Sequence, residues 1–208
     1  MFNVCWRCGI YRADKTIDPA GPYAVCPECG YAHRFRFLPL FIISGASGTG
    51  KTAILHRLVG RLKQVVLLDL DDVLWRAEFN SPADGYRAFC EAALRLCKNI
   101  GQSGRPVAAF NSGMGVPANL APCIERRYFS AVHTLALVCD DDALAERLRQ
   151  RPAWRQSDGT AFIAAQVDFN RWLKAYDGHP PITRVDTSLP WVDEPAAQVA
   201  DWIEARLP

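Results

Sequence analysis

The chain has 208 residues, 50% hydrophobic and 22% charged, with a formal net charge of +2. That is enough for one α/β core with a small appendage, it excludes a disordered chain, and the charge is too mild to mark a nucleic-acid or membrane surface by itself. No stretch approaches the roughly 18 uninterrupted apolar residues that span a bilayer, and the N-terminus lacks the layout of a signal peptide. A cytoplasmic location is expected, so the eight cysteines are read as metal ligands or reduced core residues rather than disulfides.

Four of them come first in the chain. Cys5-Trp6-Arg7-Cys8-Gly9 and Cys26-Pro27-Glu28-Cys29-Gly30 are two Cys-x-x-Cys-Gly knuckles, separated by a span typical of a four-cysteine zinc site. Each knuckle aims two thiolates at one tetrahedral ion, and its glycine permits the tight turn that brings backbone N–H groups towards sulfur. The spacing predicts a zinc ribbon over residues 1–38 with Cys5, Cys8, Cys26 and Cys29 as ligands. Such a ribbon can be a structural clip or a docking surface. His33-Arg34-Phe35-Arg36-Phe37 alternates cation and aromatic; it is read as the ribbon's last strand with one wet face, with contact to a nucleic-acid strand as the alternative.

From residue 39 onward apolar runs alternate with helical patterns, predicting a parallel sheet with helices on both faces. Strands are expected at 40–44, 65–68, 106–110, 134–138 and 182–185. Ala53, Ile54, Leu55, Leu58, Val59 and Leu62 form a helical stripe after the first strand. A second helix is expected over 84–100 after the break Asn80-Ser81-Pro82, with others over 141–151 and 194–206. Cys90 and Cys97 share an apolar face with Tyr86, Phe89, Ala93, Leu94 and Ile100; these two, Cys123 and Cys139 are assigned to the core.

Ligands of such sheets gather at the carboxyl ends of the strands. After the first strand stands Gly45-Ala46-Ser47-Gly48-Thr49-Gly50-Lys51-Thr52, a full G-x-x-x-x-G-K-T phosphate loop (Walker A). Its glycines let N–H groups curl around an anion, Lys51 reaches the terminal phosphates and the Thr52 hydroxyl ligates magnesium. After the second strand come Asp69, Asp71 and Asp72. Asp71 is the first choice for general base and Asp69 for the magnesium shell, while Asp72 is either a helix N-cap or part of the chemistry. Motor and switch ATPases carry an acid after an apolar strand; here the third strand ends instead in Asn111-Ser112-Gly113-Met114-Gly115, read as room for an acceptor or as a plain tight turn. Beyond the fourth strand, Asp140 to Asp142 read as a helix cap. Arg147, Arg151 and Arg155 are assigned to phosphate or lid duty, Arg149 to solvent cover, and Trp172 to the core.

On these motifs the chain from about residue 40 resembles small P-loop kinases of the nucleoside, nucleotide and shikimate kinase type. Asp69-Leu70-Asp71 is similar to the Asp-x-Asp of shikimate-type kinases, and Asp71-Asp72-Val73-Leu74-Trp75 to the Asp-Asp-aromatic turn of uridine and nicotinamide riboside kinases. The segment Asn170-Arg171-Trp172 is similar to one in bacterial proteins labelled nucleoside kinases. The resemblance implies a five-stranded parallel sheet and ATP-dependent transfer of a phosphoryl group to a small hydroxyl or phosphate acceptor, most of all a nucleoside or nucleotide. It implies ATP and magnesium as cofactors beside the zinc, an acceptor held at Asp71, and a lid arginine, Arg147 or Arg151, on the phosphates. The N-terminal ribbon departs from the pattern, because zinc-bearing nucleotide kinases carry their metal in the lid. A kinase acting on RNA or DNA ends, and a nucleotide-dependent regulatory module with slow hydrolysis, are the alternative readings.

Overall fold

The computed structural model describes residues 3–71, 86–155 and 157–208. Asp72, the turn residues to Trp75 and the break Asn80-Ser81-Pro82 lie outside them, as does the predicted helix start at Asp84. At the N-terminus two turns of one design repeat. The Cys5 carbonyl accepts from the Gly9 N–H at 2.8 Å, and the Cys26 carbonyl from the Gly30 N–H at 2.9 Å. Gly9 and Gly30 stand at φ 73° and 70°, a backbone that costs glycine nothing and a residue with a Cβ about 1 kcal/mol or more. Strands β1 (Thr16–Asp18), β2 (Tyr23–Val25) and β3 (Ala32–Arg34) form a small antiparallel sheet. Along and beyond β3, His33 and Phe35 point inward while Arg34 and Arg36 are exposed, the alternation of a strand with one wet face.

The larger sheet is parallel throughout, in the order β5-β6-β4-β7-β8. Its strands are β4 (Leu40–Gly45), β5 (Val66–Asp69), β6 (Val107–Phe110), β7 (Val132–Val138) and β8 (Ile182–Asp186). Every residue of β4 is buried, because β4 is the central strand and helices cover both faces. Phe41 and Ile43 pack towards α1 (Lys51–Leu58) and α6 (Asp193–Glu204), meeting Ile54, Leu58, Val199 and Ile203. Leu40 and Ile42 face the other way, onto Phe89, Cys90, Leu94 and Cys97 of α2 (Arg87–Gly101). α3 (Pro117–Leu120) is a single turn. α4 (Asp141–Arg149) and α5 (Thr160–Ala175) pack together beyond β7. The chain runs from β4 out to the edge strand β5, returns to β6 between the two, then crosses to β7 on the far side. β4 is therefore flanked by strands whose connections leave in opposite directions, which opens a crevice at its carboxyl end.

The predicted strands are all found within a residue or two. The stripe on α1 is narrower than expected: Ile54, Leu58 and Leu62 are buried, but Ala53 is exposed and Val59 is 63% exposed, because the helix ends at Leu58 and Val59 turns outward. All four non-ribbon cysteines are buried. Trp172 is not core; it is 37% exposed and stacks on Phe169 at 5.9 Å. Among the described residues no helix is long and apolar enough to cross a membrane.

A buried polar cluster joins the two sheets. Lys98 of α2 (2% exposed) donates to Glu125 Oε2 at 2.5 Å and to Asn3 Oδ1. Asn3 Nδ2 and Arg95 Nε each reach Glu125 Oε1 at 2.9 Å. The Tyr128 hydroxyl donates to the Ala13 carbonyl and accepts the Lys15 N–H, and the Lys98 ammonium lies 4.5 Å above the Tyr128 ring. Buried charges persist only where partners of this kind surround them.

Candidate functional site

β4 ends at Gly45 and α1 begins at Lys51, with Gly50 as its N-cap at φ 92°. Between them the loop closes on itself: the Thr49 N–H and hydroxyl both reach the Ala46 carbonyl, at 3.3 and 2.9 Å. At Gly45, φ 148°, a Cβ would lie 2.5 Å from Thr49 Oγ1 and 2.7 Å from the Leu137 carbonyl, so the strand can enter the loop only through glycine. The Lys51 ammonium folds back over the loop onto the Gly45 and Ala46 carbonyls at 2.8 and 3.1 Å. Ser47 donates its N–H to Gln166 Oε1 of α5 at 2.7 Å. Burial draws the Lys51 ammonium down to about 8; Asp71 and Asp69 oppose that and Arg151 adds to it. A glycine-lined loop at a helix N-terminus with a partly buried ammonium is chemistry that fits a polyphosphate.

Asp69 closes β5, and the Asp71 N–H donates to Asp69 Oδ1 at 3.1 Å. Register brings a partner from the next strand: Asp69 pairs with Phe110, so Asn111 arrives beside Asp71. Asn111 Nδ2 donates to Asp71 Oδ1 at 2.7 Å, and Asn111 Oδ1 accepts the Met114 N–H at 2.9 Å. Burial raises the Asp71 carboxyl above its ordinary value, against the pull of Lys51 and the Asn111 bond, with Asp69 adding to the rise. Lys51, Asp69 and Asp71 thus gather at the carboxyl ends of β4 and β5. The sequence reading gave the Asn111 side chain no role; its one signal is a polar amide directly after an apolar strand.

The predicted arginines separate. Arg147 Nη2 donates to the Thr187 and Ser188 carbonyls at 2.8 and 2.9 Å, tying α4 to the loop after β8. With Gly48, Thr49, Gly50, Ala53, Ile54, Thr187, Leu189, Pro190, Trp191, Val192 and Pro195 it lines a cavity of about 300 Å³ beside the phosphate loop. Arg151 is half-buried and is the arginine whose charge bears on Lys51; burial and Arg155 lower its own proton affinity. Arg155 is exposed and stacks over the Trp154 ring at 4.7 Å. Arg149, exposed beside Glu146, is solvent cover as expected. Asp141 opens α4 and binds Asn170, Arg171 and Lys174 of α5. Trp191, 68% exposed at the cavity, was not anticipated, although Leu189-Pro190-Trp191 directly follows the last strand's turn. Thr52 lies exposed in the first turn of α1.

Near the N-terminus the Sγ atoms of Cys5, Cys8, Cys26 and Cys29 all lie within 4.8 Å of one another. Burial works against the Cys5 thiolate, but the Cys8 and Arg7 N–H groups, with His33, bring it down to about 5. At Cys29 the Tyr31 N–H favours the thiolate, yet burial and the three neighbouring sulfurs push it up to about 11. Four sulfurs so close ionise together only around a cation, and the donor set fits tetrahedral zinc. By contrast burial pushes the Cys97 thiol up to about 12.

No family model matches the chain, and no curated protein does. Among solved structures it is similar to an unliganded sugar kinase from Janibacter sp. HTCC2649, with TM-score 0.57 and 14% identity over 80% of this chain and 95% of that one. It is also similar to a gluconokinase from Sinorhizobium meliloti 1021, with TM-score 0.52 and 14% identity over 82% and 98%. The APS kinase of Mycobacterium tuberculosis, in complex with AMPPNP and APS, matches with TM-score 0.57 and 18% identity over 82% and 99%. At these identities the likeness is one of fold: the five-stranded parallel sheet with its helices matches P-loop kinase folds.

Proposed function

We propose that the chain transfers a phosphoryl group from ATP to a hydroxyl or phosphate of a small molecule, most of all a nucleoside or nucleotide. The observation that carries the reading is that the Lys51 ammonium and a partly buried carboxylate, Asp71, bear on each other at the carboxyl ends of β4 and β5, on either side of β6. A module that only senses nucleotide has no use for such a carboxylate. ATP lies along residues 45–52 with its base in the cavity beside Trp191, whose exposed ring suits stacking. Lys51 leaves the Gly45 and Ala46 carbonyls for the terminal phosphates. Asp71 orients the acceptor and accepts its proton. Arg151 steadies the transferring group, while Arg147 and Arg155 serve the lid. Thr52 and Asp69 are the oxygen ligands for magnesium, which when bound spreads the charge on the phosphoryl oxygens. Residues 1–38 form the zinc-bearing unit, held by Cys5, Cys8, Cys26 and Cys29, and residues 39–208 the kinase unit. The choice of nucleoside over sugar rests on the resemblance of the Asp71-Asp72 turn.

The test is ADP release by purified protein with magnesium and ATP, screened against nucleosides, nucleoside monophosphates, sugars and short oligonucleotides, beside Lys51→Ala. Acceptor-dependent ADP release is expected, falling about 100-fold to 1000-fold in the variant through loss of one preorganised charge donor. Release that no acceptor stimulates would favour a hydrolysing regulatory module. Stimulation by oligonucleotides alone would favour an end-directed kinase.

A further inference from the structure

We propose that Lys15 and His33 are the counter-charge of the four-cysteine centre: the buried Lys15 ammonium, relayed through the His33 ring, offsets the negative charge that four thiolates keep around one divalent cation. The inference rests on the reading of Cys5, Cys8, Cys26 and Cys29 as a zinc site. Register brings the two residues together. His33 pairs with Ala24 and Ala24 with Ile17, so alternation puts Lys15, two residues before Ile17, on the same inner face of the small sheet. Lys15 is 0% and His33 2% exposed, and Lys15 Nζ lies 3.1 Å from His33 Nε2.

A buried ammonium needs an anion, and among the described residues Lys15 pairs with no carboxylate. Glu125, in the neighbouring buried cluster, is already shared by Lys98, Arg95 and Asn3, and the Lys15 charge acts on Lys98 as a repulsion. An ammonium can only donate, so His33 Nε2 accepts and the ring proton sits on Nδ1. That Nδ1 is buried and has no hydrogen-bond partner among the described residues. Trp6 and Tyr31 meet the ring edge-on, with centroids at 5.7 and 4.7 Å, and the sulfur on which His33 bears is that of Cys5. Four thiolates around one divalent cation leave two negative charges over. The metal-loaded centre is thus the anion that Lys15 lacks, and a thiolate is the acceptor that the His33 N–H lacks.

The experiment measures the zinc affinity of the whole chain by competition with a chromophoric chelator, in wild type, Lys15→Met, His33→Phe and the double variant. Methionine keeps the length of the lysine stem and phenylalanine the ring between Trp6 and Tyr31; circular dichroism of the zinc-loaded proteins is the folding control. Each single variant should bind zinc about 10-fold to 100-fold more weakly, the usual worth of a partner one step out from the ligands. Because the two residues act in series, the double variant should lose no more than the worse single one, and losses that add in full would overturn the relay. A second readout separates charge from packing. With cobalt(II) in place of zinc, removing a positive charge and an N–H donor raises the energy of the sulfur electrons, so the sulfur-to-cobalt charge-transfer band should move to longer wavelength in both single variants. A merely structural pair would change how much metal binds and leave the band where it stands. Zinc affinity equal to wild type in both single variants, or an unmoved band, overturns the proposal and leaves the zinc site standing. A wild-type chain that binds no stoichiometric zinc overturns the zinc reading, and this inference with it.

Discussion

Lys51 is where pH should act first. In the free protein its ammonium titrates near 8, below the ordinary 10.5, because burial disfavours the charge. A lowered base costs the native state while it is protonated, so this group's contribution to stability rises with pH between about 8 and 10.5, where the unfolded chain still holds the proton. Bound phosphates reverse the bias, and ATP binding at pH 8 should take up on the order of half a proton. Calorimetry in buffers of different ionisation enthalpy measures that uptake, and Lys51→Ala should abolish it; heats independent of buffer would refute the shift. The neighbouring carboxylates separate by role. Asp71→Asn should bind ATP as before and transfer about 100-fold to 10,000-fold more slowly, the usual worth of general base help. Asp69→Asn should show a defect that eases as magnesium is raised. An Asp71→Asn variant working at the wild-type rate would reduce Asp71 to a turn residue.

Single elements depend on a few buried polar groups. The segment Ile124–Tyr128 meets α2 through Glu125, 0% exposed, whose carboxylate is shared by Lys98, Arg95 and Asn3. Glu125→Gln leaves the Lys98 ammonium buried without a counter-charge and should cost about 3–5 kcal/mol. Asn3→Ala, removing one hydrogen-bonding partner, should cost about 1–3 kcal/mol. Urea unfolding measures both, and a Glu125→Gln midpoint equal to wild type would show the cluster to be idle. The same kind of group explains an element the sequence hid. α5 buries Ile163, Asn170 and Leu173, and Asn170 spends its amide on both backbone groups of Cys139 and on Asp141. A polar residue in the buried stripe, with Phe162 and Trp172 on the wet side, erases the periodicity by which the other helices announce themselves.

At the scale of the whole molecule the small N-terminal sheet is held against the segment Ile124–Tyr128. Among the described residues the sheet buries few apolar side chains, Ala24 and Phe35 against Tyr128, so its order is expected to depend on a metal held by the four cysteines and on the Asn3 and Ala13 contacts. Elemental analysis should find one zinc per chain. Chelation should release Asn3 from Lys98 and Glu125 and lower the melting temperature by several degrees, taking about 2–4 °C for each kcal/mol in a chain of this size. Protein with no stoichiometric metal, or melting unchanged by a chelator, would refute the metal's part.

The local patterns were all readable along the chain: two Cys-x-x-Cys-Gly knuckles, a phosphate loop between an apolar run and a helix, and carboxylates just past the second strand. Each of these is a matter of neighbouring residues, and neighbours in sequence are constrained by backbone geometry alone. What only the tertiary structure decided is which distant groups meet. Asn111 reaches Asp71 because β5 and β6 pair in register with Asp69 opposite Phe110. Arg147 of α4 ties to the loop after β8, while Arg151, just past the end of α4, bears on Lys51. Asn3 meets Lys98 and Glu125 across 95 and 122 residues. Strand order and register set these encounters, and no window of sequence contains both partners.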